Sequence, residues 1–436
     1  MSAPTVTTWR NWAGNESADA VAVERPASTA DVAAAVVGAA AAGRTVKAVG
    51  SGHSFTPAAA TSGVRLELDR LTGIVSADAG TGLVTVRAGT TLRQLNAALA
   101  GFGLAVPNLG DIDAQTISGA LATGTHGTGA AYGCLSTFVE ALELVTADGT
   151  VLRCSATENP DVFAAARVGV GAVGVVTEVT LRCVPAFILR ARERPTALAD
   201  VLAGLDEWVG ANDHFEFYWF PYTERTQTKV NNVVPVSDAP LPGWRRWLDD
   251  DLLANRVFEG VCRLGRALPA TIPTINAVSA RALTAREYTA SSHEVFVTAR
   301  RVRFVEMEYG IPRAALPAAF AGLRRVIDTL PYRIVFPVEV RFTAADDIWL
   351  SHGYGRDNAY LAIHQYVGMP YEEYFRGFEQ VCAPLGGRPH WGKMHFRDAA
   401  SLRDAYPKFD DFLAVRDRLD PGRLFANAYT AQVFGD

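Results

Sequence analysis

A chain of 436 residues is longer than one ordinary hydrophobic core supports, so two closely packed domains are expected. Hydrophobic residues at 49%, charged residues at 20% and a net charge of -5 describe a soluble globular chain and argue against disorder. With no long Lys/Arg run it lacks the electrostatic footprint that nucleic acid binding requires, and the short cluster Arg300 to Arg303 reads as a solvated strand edge.

The N-terminal stretch MSAPTVTTWRNWAG has no basic region leading into an apolar one, so no secretory leader is read there. From Arg25-Pro26 the order is that of an α/β unit. Ser28-Thr29 cap a helix running to about Ala42, Gly43 stops it, and a strand from Thr45 to Val49 enters the loop Gly50-Ser51-Gly52-His53-Ser54-Phe55. Val32 to Gly43 is the most apolar run and is too short to span a bilayer. A strand from Leu83 to Ala88 and a helix from about Leu92 to Gly101 follow. Cys134, Cys154, Cys183, Cys262 and Cys382 show no C-x-x-C or zinc-ligand spacing, so buried, reduced thiols and a cytoplasmic protein are expected.

Two further glycine-rich segments lie in this half: Ile117-Ser118-Gly119 through Thr123 to Gly129, and Gly169 to Gly174. Each can bring backbone N–H groups close to an anion. The third spells G-x-G-x-x-G, but a helix-like stretch, Pro160 to Arg167, precedes it and a β-branched run, Val175 to Leu181, follows it. A nicotinamide-dinucleotide fold needs the reverse order, so it is disfavoured. Glycines that merely let a strand pack closely are the alternative.

After Val184-Pro185 long aromatic strands take over: His214 to Tyr222, Val302 to Tyr309, Ile334 to Phe342 and Tyr360 to Val367. They predict an α+β fold whose second half is a mostly antiparallel sheet, with the boundary near residue 185. In Phe336 to Phe342 alternation puts Glu339 and Arg341 on one side and Val338, Val340 and Phe342 on the other. Two charges on so apolar a strand are costly unless they pair or serve a site; an ion pair at the sheet surface is the plainer reading. The same rule groups Tyr360, His364 and Tyr366, and, if His390 to Phe396 is a strand, Trp391, Lys393 and His395. The histidines fall in no metal-ligand spacing, and His214, His293 and His352 have no identifiable partner.

Four segments together, Val49 to Phe55, Ala122 to Gly127, His390 to His395 and Leu419 to Asn427, resemble the vanillyl-alcohol oxidase superfamily of FAD enzymes, within it the sugar-acid lactone oxidase branch, with alditol oxidases nearby. The resemblance implies a two-domain FAD-binding fold of the PCMH and vanillyl-alcohol oxidase type. Residues 1–185, completed by 398–436, would bind FAD, and 186–397 would form a substrate cap. It further implies that His53 is joined covalently to the flavin, with Gly50, Ser51, Gly52, Ser54 and Phe55 cradling the pyrophosphate. Ser118, Gly119, Thr123, Gly124, His126 and Gly127 would line the isoalloxazine and pyrophosphate, Gly174, Val175 and Val176 the adenosine, and Asn427 would complete the set. Relatives with a doubly attached flavin use a cysteine, whereas here His126 stands where no thiol is available, so a single link is implied. A turn histidine remains the alternative for His53, and a backbone-bonding one for His126.

By the same resemblance Glu339, Arg341, His364 and Lys393 line the active site. Alcohol oxidation needs the hydroxyl proton removed as hydride leaves its carbon, and a fixed cation beside the reduced flavin stabilises the charge that gathers there. Lys393 and Arg341 suit that electrostatic role, Glu339 a grip on substrate hydroxyls and on Arg341, and His364 the base or a substrate grip. The substrate implied is an aldono-1,4-lactone such as L-gulono-1,4-lactone, oxidised at its C2 hydroxyl to an ascorbate-type product, with an alditol or a bulkier alcohol as alternatives, and a flavin carrier without catalysis as a further one. Gly110, before Asp111, stands where a small residue admits O2; the following Ile112 to Gln115 departs from the animal and plant patterns and resembles bacterial members, some of which prefer other acceptors.

Overall fold

Ser28 opens α1 (Thr29–Ala41) with a capping box: its side chain accepts from Asp31 N, and Asp31 reaches back to the cap N–H. The helix is followed by Gly43 at φ 64, a left-handed turn that glycine adopts without strain. The computed structural model describes residues 7–435; the first six residues of the stretch read as lacking a leader lie outside that range. Strands β1 (Ala22–Glu24), β2 (Val46–Val49) and β3 (Val64–Glu67) form a parallel sheet in the order β1-β3-β2, with Val46, Val64 and Leu66 packed on Val32, Val36 and Ala39 of α1.

The next elements, β4 (Ile74–Asp78), β5 (Leu83–Arg87), α2 (Leu92–Gly101), α3 (Ile117–Ala122), β6 (Val139–Val145), β7 (Val151–Ser155) and β8 (Val175–Arg182), include an antiparallel five-stranded sheet in the order β7-β6-β8-β5-β4. The Gly169–Gly174 loop lies between the helix Pro160–Ala166 and β8, in the order expected. Five buried thiols are all free.

An eight-stranded, wholly antiparallel sheet follows: β9 (Ile188–Ala197), β10 (His214–Trp219), β11 (Arg225–Val234), β12 (Arg286–Ser291), β13 (Phe304–Pro312), β14 (Val338–Thr343), β15 (Asn358–Tyr366) and β16 (Arg388–Pro389), ordered β12-β9-β11-β10-β14-β15-β13-β16. One face carries Phe215, Phe217, Met307, Val338, Val340, Phe342, Leu361 and Ile363, and buries them under α4 (Leu316–Thr329) and α5 (Glu372–Cys382) through Phe320, Leu323, Phe375 and Phe378. At about 1.5–3 kcal/mol per fully buried large apolar side chain, this layer anchors the sheet and leaves its other face for polar groups. The C-terminal helices α6 (Ala399–Ala405), α7 (Phe409–Leu419) and α8 (Ala428–Phe434) pack back on the first half, sharing one core with Leu142, Leu144, Val162 and Phe163. No helix among the described residues is long and apolar enough to cross a membrane.

Two sequence expectations are corrected. Residues 297–303 form a loop rather than a strand edge; Arg300, Arg301 and Arg303 are exposed as expected, and Arg300 is in addition ion-paired to Asp111 at 2.6 Å. The His390–Phe396 segment is a turn: Lys393 N donates to His390 O, and the chain then rejoins β13 through Met394 N to Glu306 O. Trp391, Lys393 and His395 therefore share no strand face. Trp391 is fully buried and donates to Leu350 O, while His395 bonds Tyr429 Oη.

Candidate active site

The first glycine-rich loop meets the start of the second at Thr116, the cap of α3: a Cβ on Gly50 would fall 2.4 Å from Thr116 Oγ1, and one on Gly119 3.0 Å from it. Between them opens a cleft of about 1230 Å³, counting its open mouth, lined by Gly50 to Ser54, Ser118, Gly119, Thr123 and Gly174 to Val176. Val170 in its wall holds φ 52, a strained setting for a β-branched residue that the close packing around it maintains. Among the described residues no acceptor takes the backbone N–H groups of Ser51, Gly52, His53 and Ser54. Four successive free N–H groups on a glycine loop are the cradle that an anionic pyrophosphate needs. The residues present thus fit a dinucleotide cofactor.

A second cavity of about 570 Å³ adjoins the first, and His53, Ser54, Gln115 and Thr123 line both. Phe55, Gly110, Asp111, His126, Glu308, Arg341, His390 and Lys393 belong to this chamber. His53 stacks on Trp12 at 5.7 Å, and burial, then the charge of Lys393, lower its pKa, which favours the neutral ring. A Cβ on Gly110 would come 3.2 Å from His126 O, so the wall here admits nothing larger without a shift.

The polar face of the large sheet supplies the chamber's charges. Across β10–β14 Glu216 faces Arg341 and Tyr218 faces Glu339, and across β10–β11 Glu216 faces Lys229. Arg341 is ion-paired to Glu339, donates from Nε to Glu216 at 3.0 Å, and lies 3.7 Å from Asp111. Tyr218 Oη donates to Glu339 at 2.9 Å, and Lys229 stands 3.5 Å from Glu216. Burial would lower the pKa of Arg341, but the surrounding carboxylates outweigh it and keep the guanidinium charged. Further along, Lys393 is ion-paired to Glu306, whose other oxygen is 3.4 Å from His364 Nε2. Burial acts against the Lys393 ammonium too, and Glu306 and Glu308 more than reverse it.

Of the predicted catalytic set, Arg341 and Lys393 line the chamber; Glu339 and His364 line neither cavity. Glu339 stands behind Arg341. His364 Nδ1 is buried without a partner, with Phe304 and Phe336 against its ring. Gly124 also lines neither cavity and makes room for His352, whose Cε1 a Cβ would meet at 2.9 Å. Gly127 packs on Leu109 O and borders a small void with Asp111, Glu216 and Arg341. Asn427 caps α8, and its Nδ2 donates to the carbonyls of Pro57, Ala58 and Ala60 at 2.8–3.1 Å, tying the C-terminus to the chain just past the first loop.

Sequence reasoning missed Glu216, Tyr218, Lys229, Arg300, Glu306 and Glu308. The alternation rule that found Glu339 and Arg341 finds Glu306 and Glu308 too when applied to Phe304–Pro312. His126, Glu308 and His390 bring possible ligand atoms within 4.8 Å of one another. Three of their four nitrogens are already engaged: His126 Nδ1 with Gly127 O, His126 Nε2 with Glu308, and His390 Nδ1 accepting from Gly392 N.

A sequence profile of D-arabinono-1,4-lactone oxidase matches residues 179–433, and one of an FAD binding domain matches residues 20–155. The chain is 45% identical over 430 residues to L-gulono-1,4-lactone dehydrogenase of Mycobacterium tuberculosis, covering 98% of this chain and 99% of that one. It is 34% identical over 436 residues to L-gulonolactone oxidase of Bos taurus, covering 98% of each. Among solved structures it resembles cholesterol oxidase from B. sterolicum with a TM-score of 0.81 at 18% identity, covering 98% of this chain and 96% of that one, a likeness of fold.

Proposed function

Because the chain belongs to the D-arabinono-1,4-lactone oxidase family, we propose that it performs FAD-dependent oxidation of an aldono-1,4-lactone of the L-gulono-1,4-lactone type at C2, giving an ascorbate-type product. The observation that carries this reading is the junction at His53, where a glycine-lined cleft runs into a chamber walled by Arg341 and Lys393. Residues 1–185 with 398–436 are assigned to cofactor binding and 186–397 to the substrate cap.

His53 would hold the isoalloxazine covalently, with Ser51 to Ser54 receiving the pyrophosphate and Gly174 to Val176 the adenosine. Bound FAD supplies the hydride acceptor for the alcohol carbon. Arg341 and Lys393 present fixed positive charge in a site that excludes most water, where such charge acts strongly and needs no reorganisation. Glu339 keeps the Arg341 guanidinium aimed, and Glu306 does the same for Lys393. His364, held by Glu306, acts through that carboxylate. The electrons would pass to O2, which the small Gly110 in the chamber wall would favour, or to a larger acceptor. Free, buried thiols suit a reducing cytoplasm.

The test is steady-state turnover with a dye acceptor and with O2, across L-gulono-, L-galactono- and D-arabinono-1,4-lactones and the alditols xylitol and sorbitol. Lactones are expected to exceed alditols in kcat/KM by tenfold or more, on the order of 1.4 kcal/mol in transition-state binding. Preference for an alditol would overturn the lactone assignment.

A further inference from the structure

Oxidation of a hydroxyl requires a group that takes its proton, and the chamber narrows the choice. Asp111 lines it but is held by Arg300 at 2.6 Å and lies near Arg341; Lys393 is a cation bound to Glu306; Glu339 and His364 lie outside the lining. Glu308 is the remaining carboxylate in the wall among the described residues, and neither Arg nor Lys is paired with it there. Its partner is a histidine.

The protonation of that histidine follows from its contacts. His126 Nδ1 lies 2.9 Å from Gly127 O, which can only accept, so Nδ1 carries a proton. Nε2 lies 3.2 Å from Glu308 Oε1. Glu308 is held in its ionised form, and a carboxylate can only accept, so the contact is completed by donation from the Nε2 side. The pair is rigid: His126 stacks on Tyr360 with centroids 3.7 Å apart, and His390 N donates 2.9 Å to Glu308 O. The ring and the carboxylate are both buried yet face the chamber.

From this geometry we propose, resting on the oxidation assigned above, that Glu308 is the catalytic base and that His126 is its positioning residue. The substrate O–H bond breaks and an O–H bond to Glu308 forms. The electron pair left on the substrate oxygen becomes the second bond of the new carbonyl as the C–H pair leaves with the hydride. His126 holds the carboxylate ionised beforehand and in place afterwards.

The titratable groups facing Glu308 are His126, His390 and Lys393 from the loops, Glu306 on its own strand, and Tyr360 and His364 on β15. Burial raises the Glu308 pKa, but His126 and Lys393 outweigh it and hold it below the ordinary carboxylate value. A base is lost as pH falls through its pKa, so the acidic limb of activity should lie low, and removing the His126 charge should move it upward.

The experiment uses the flavin-loaded enzyme, reduced anaerobically in a stopped-flow instrument by whichever lactone or polyol reduces the parent fastest. Glu308→Gln should retain flavin and slow reduction by roughly 10²–10⁴-fold, the usual range for losing a general base. Its infrared difference spectrum on reduction should lack the protonated-carboxyl band that the parent develops. His126→Asn should shift the acidic limb to higher pH, which a merely structural histidine would not do. If Glu308→Gln fails to load flavin, Glu308→Asp, which keeps the charge but withdraws it by one methylene, should slow reduction while retaining the limb and the band. A Gln variant that reduces at the parental rate, or an Asp variant that does so, overturns the role of Glu308 while leaving the oxidation intact. A parent that no lactone or polyol reduces overturns the oxidation, and the base with it.

Discussion

Replacing Arg341 by methionine should slow substrate-dependent flavin reduction by roughly 10²–10³-fold and destabilise the fold by about 3–5 kcal/mol. Both effects have one cause. The guanidinium is buried against Glu216, Glu339 and Asp111, and methionine fills the volume but leaves those carboxylates without their cation. Lys229 and Arg300 remain to Glu216 and Asp111, so Glu339 bears most of the penalty. Burial already pushes the Glu339 pKa upward against the pull of Arg341, and without the arginine it should take up a proton at neutral pH. A second change, Glu339→Gln, should therefore recover part of the stability lost in Arg341→Met, measured by urea denaturation, with no recovery of rate. Equal recovery of rate would mean that Arg341 serves the fold alone.

Replacing His53 by alanine should leave the flavin removable: acid precipitation should strip the yellow colour from the variant and leave it on the parent. Turnover should fall by about tenfold or more, equivalent to about 1.4 kcal/mol in the barrier. The free N–H groups of Ser51 to Ser54 persist in this variant, so added FAD should still bind, and absorbance titration would measure it. Acid-precipitated His53→Ala that remains yellow would place the link on another residue.

Much of this fold is written in local signals. Ser28 and Gly43 bound the first helix because capping and a left-handed turn are short-range matters. The order of helix, glycine loop and strand around Gly169–Gly174 is likewise local and separates this chain from a nicotinamide fold. One exception is His390–Phe396, whose alternating Trp391, Lys393 and His395 imitate a strand. Three separate environments, a core, a carboxylate and a tyrosine, claim those side chains and force a turn instead.

The site was legible in part. Alternation found Arg341 and Glu339, but the charge that balances them, Glu216, lies 125 residues from Arg341 in the chain, and only the pairing of β10 with β14 brings them together. Likewise Glu308 sat in a strand noticed for its aromatic residues, and its histidine comes from a loop in the first half of the chain. Long-range register decides such pairs, and no single segment encodes it.

The measurement that bears most directly on the assigned chemistry is anaerobic addition of L-gulono-1,4-lactone to the purified yellow protein, followed at the flavin's visible absorbance. Full bleaching, saturable in lactone and reversed by an electron acceptor, is the expected result. A flavin-loaded protein whose colour stays unchanged with this lactone and with its galactono- and arabinono-relatives would contradict aldonolactone oxidation outright.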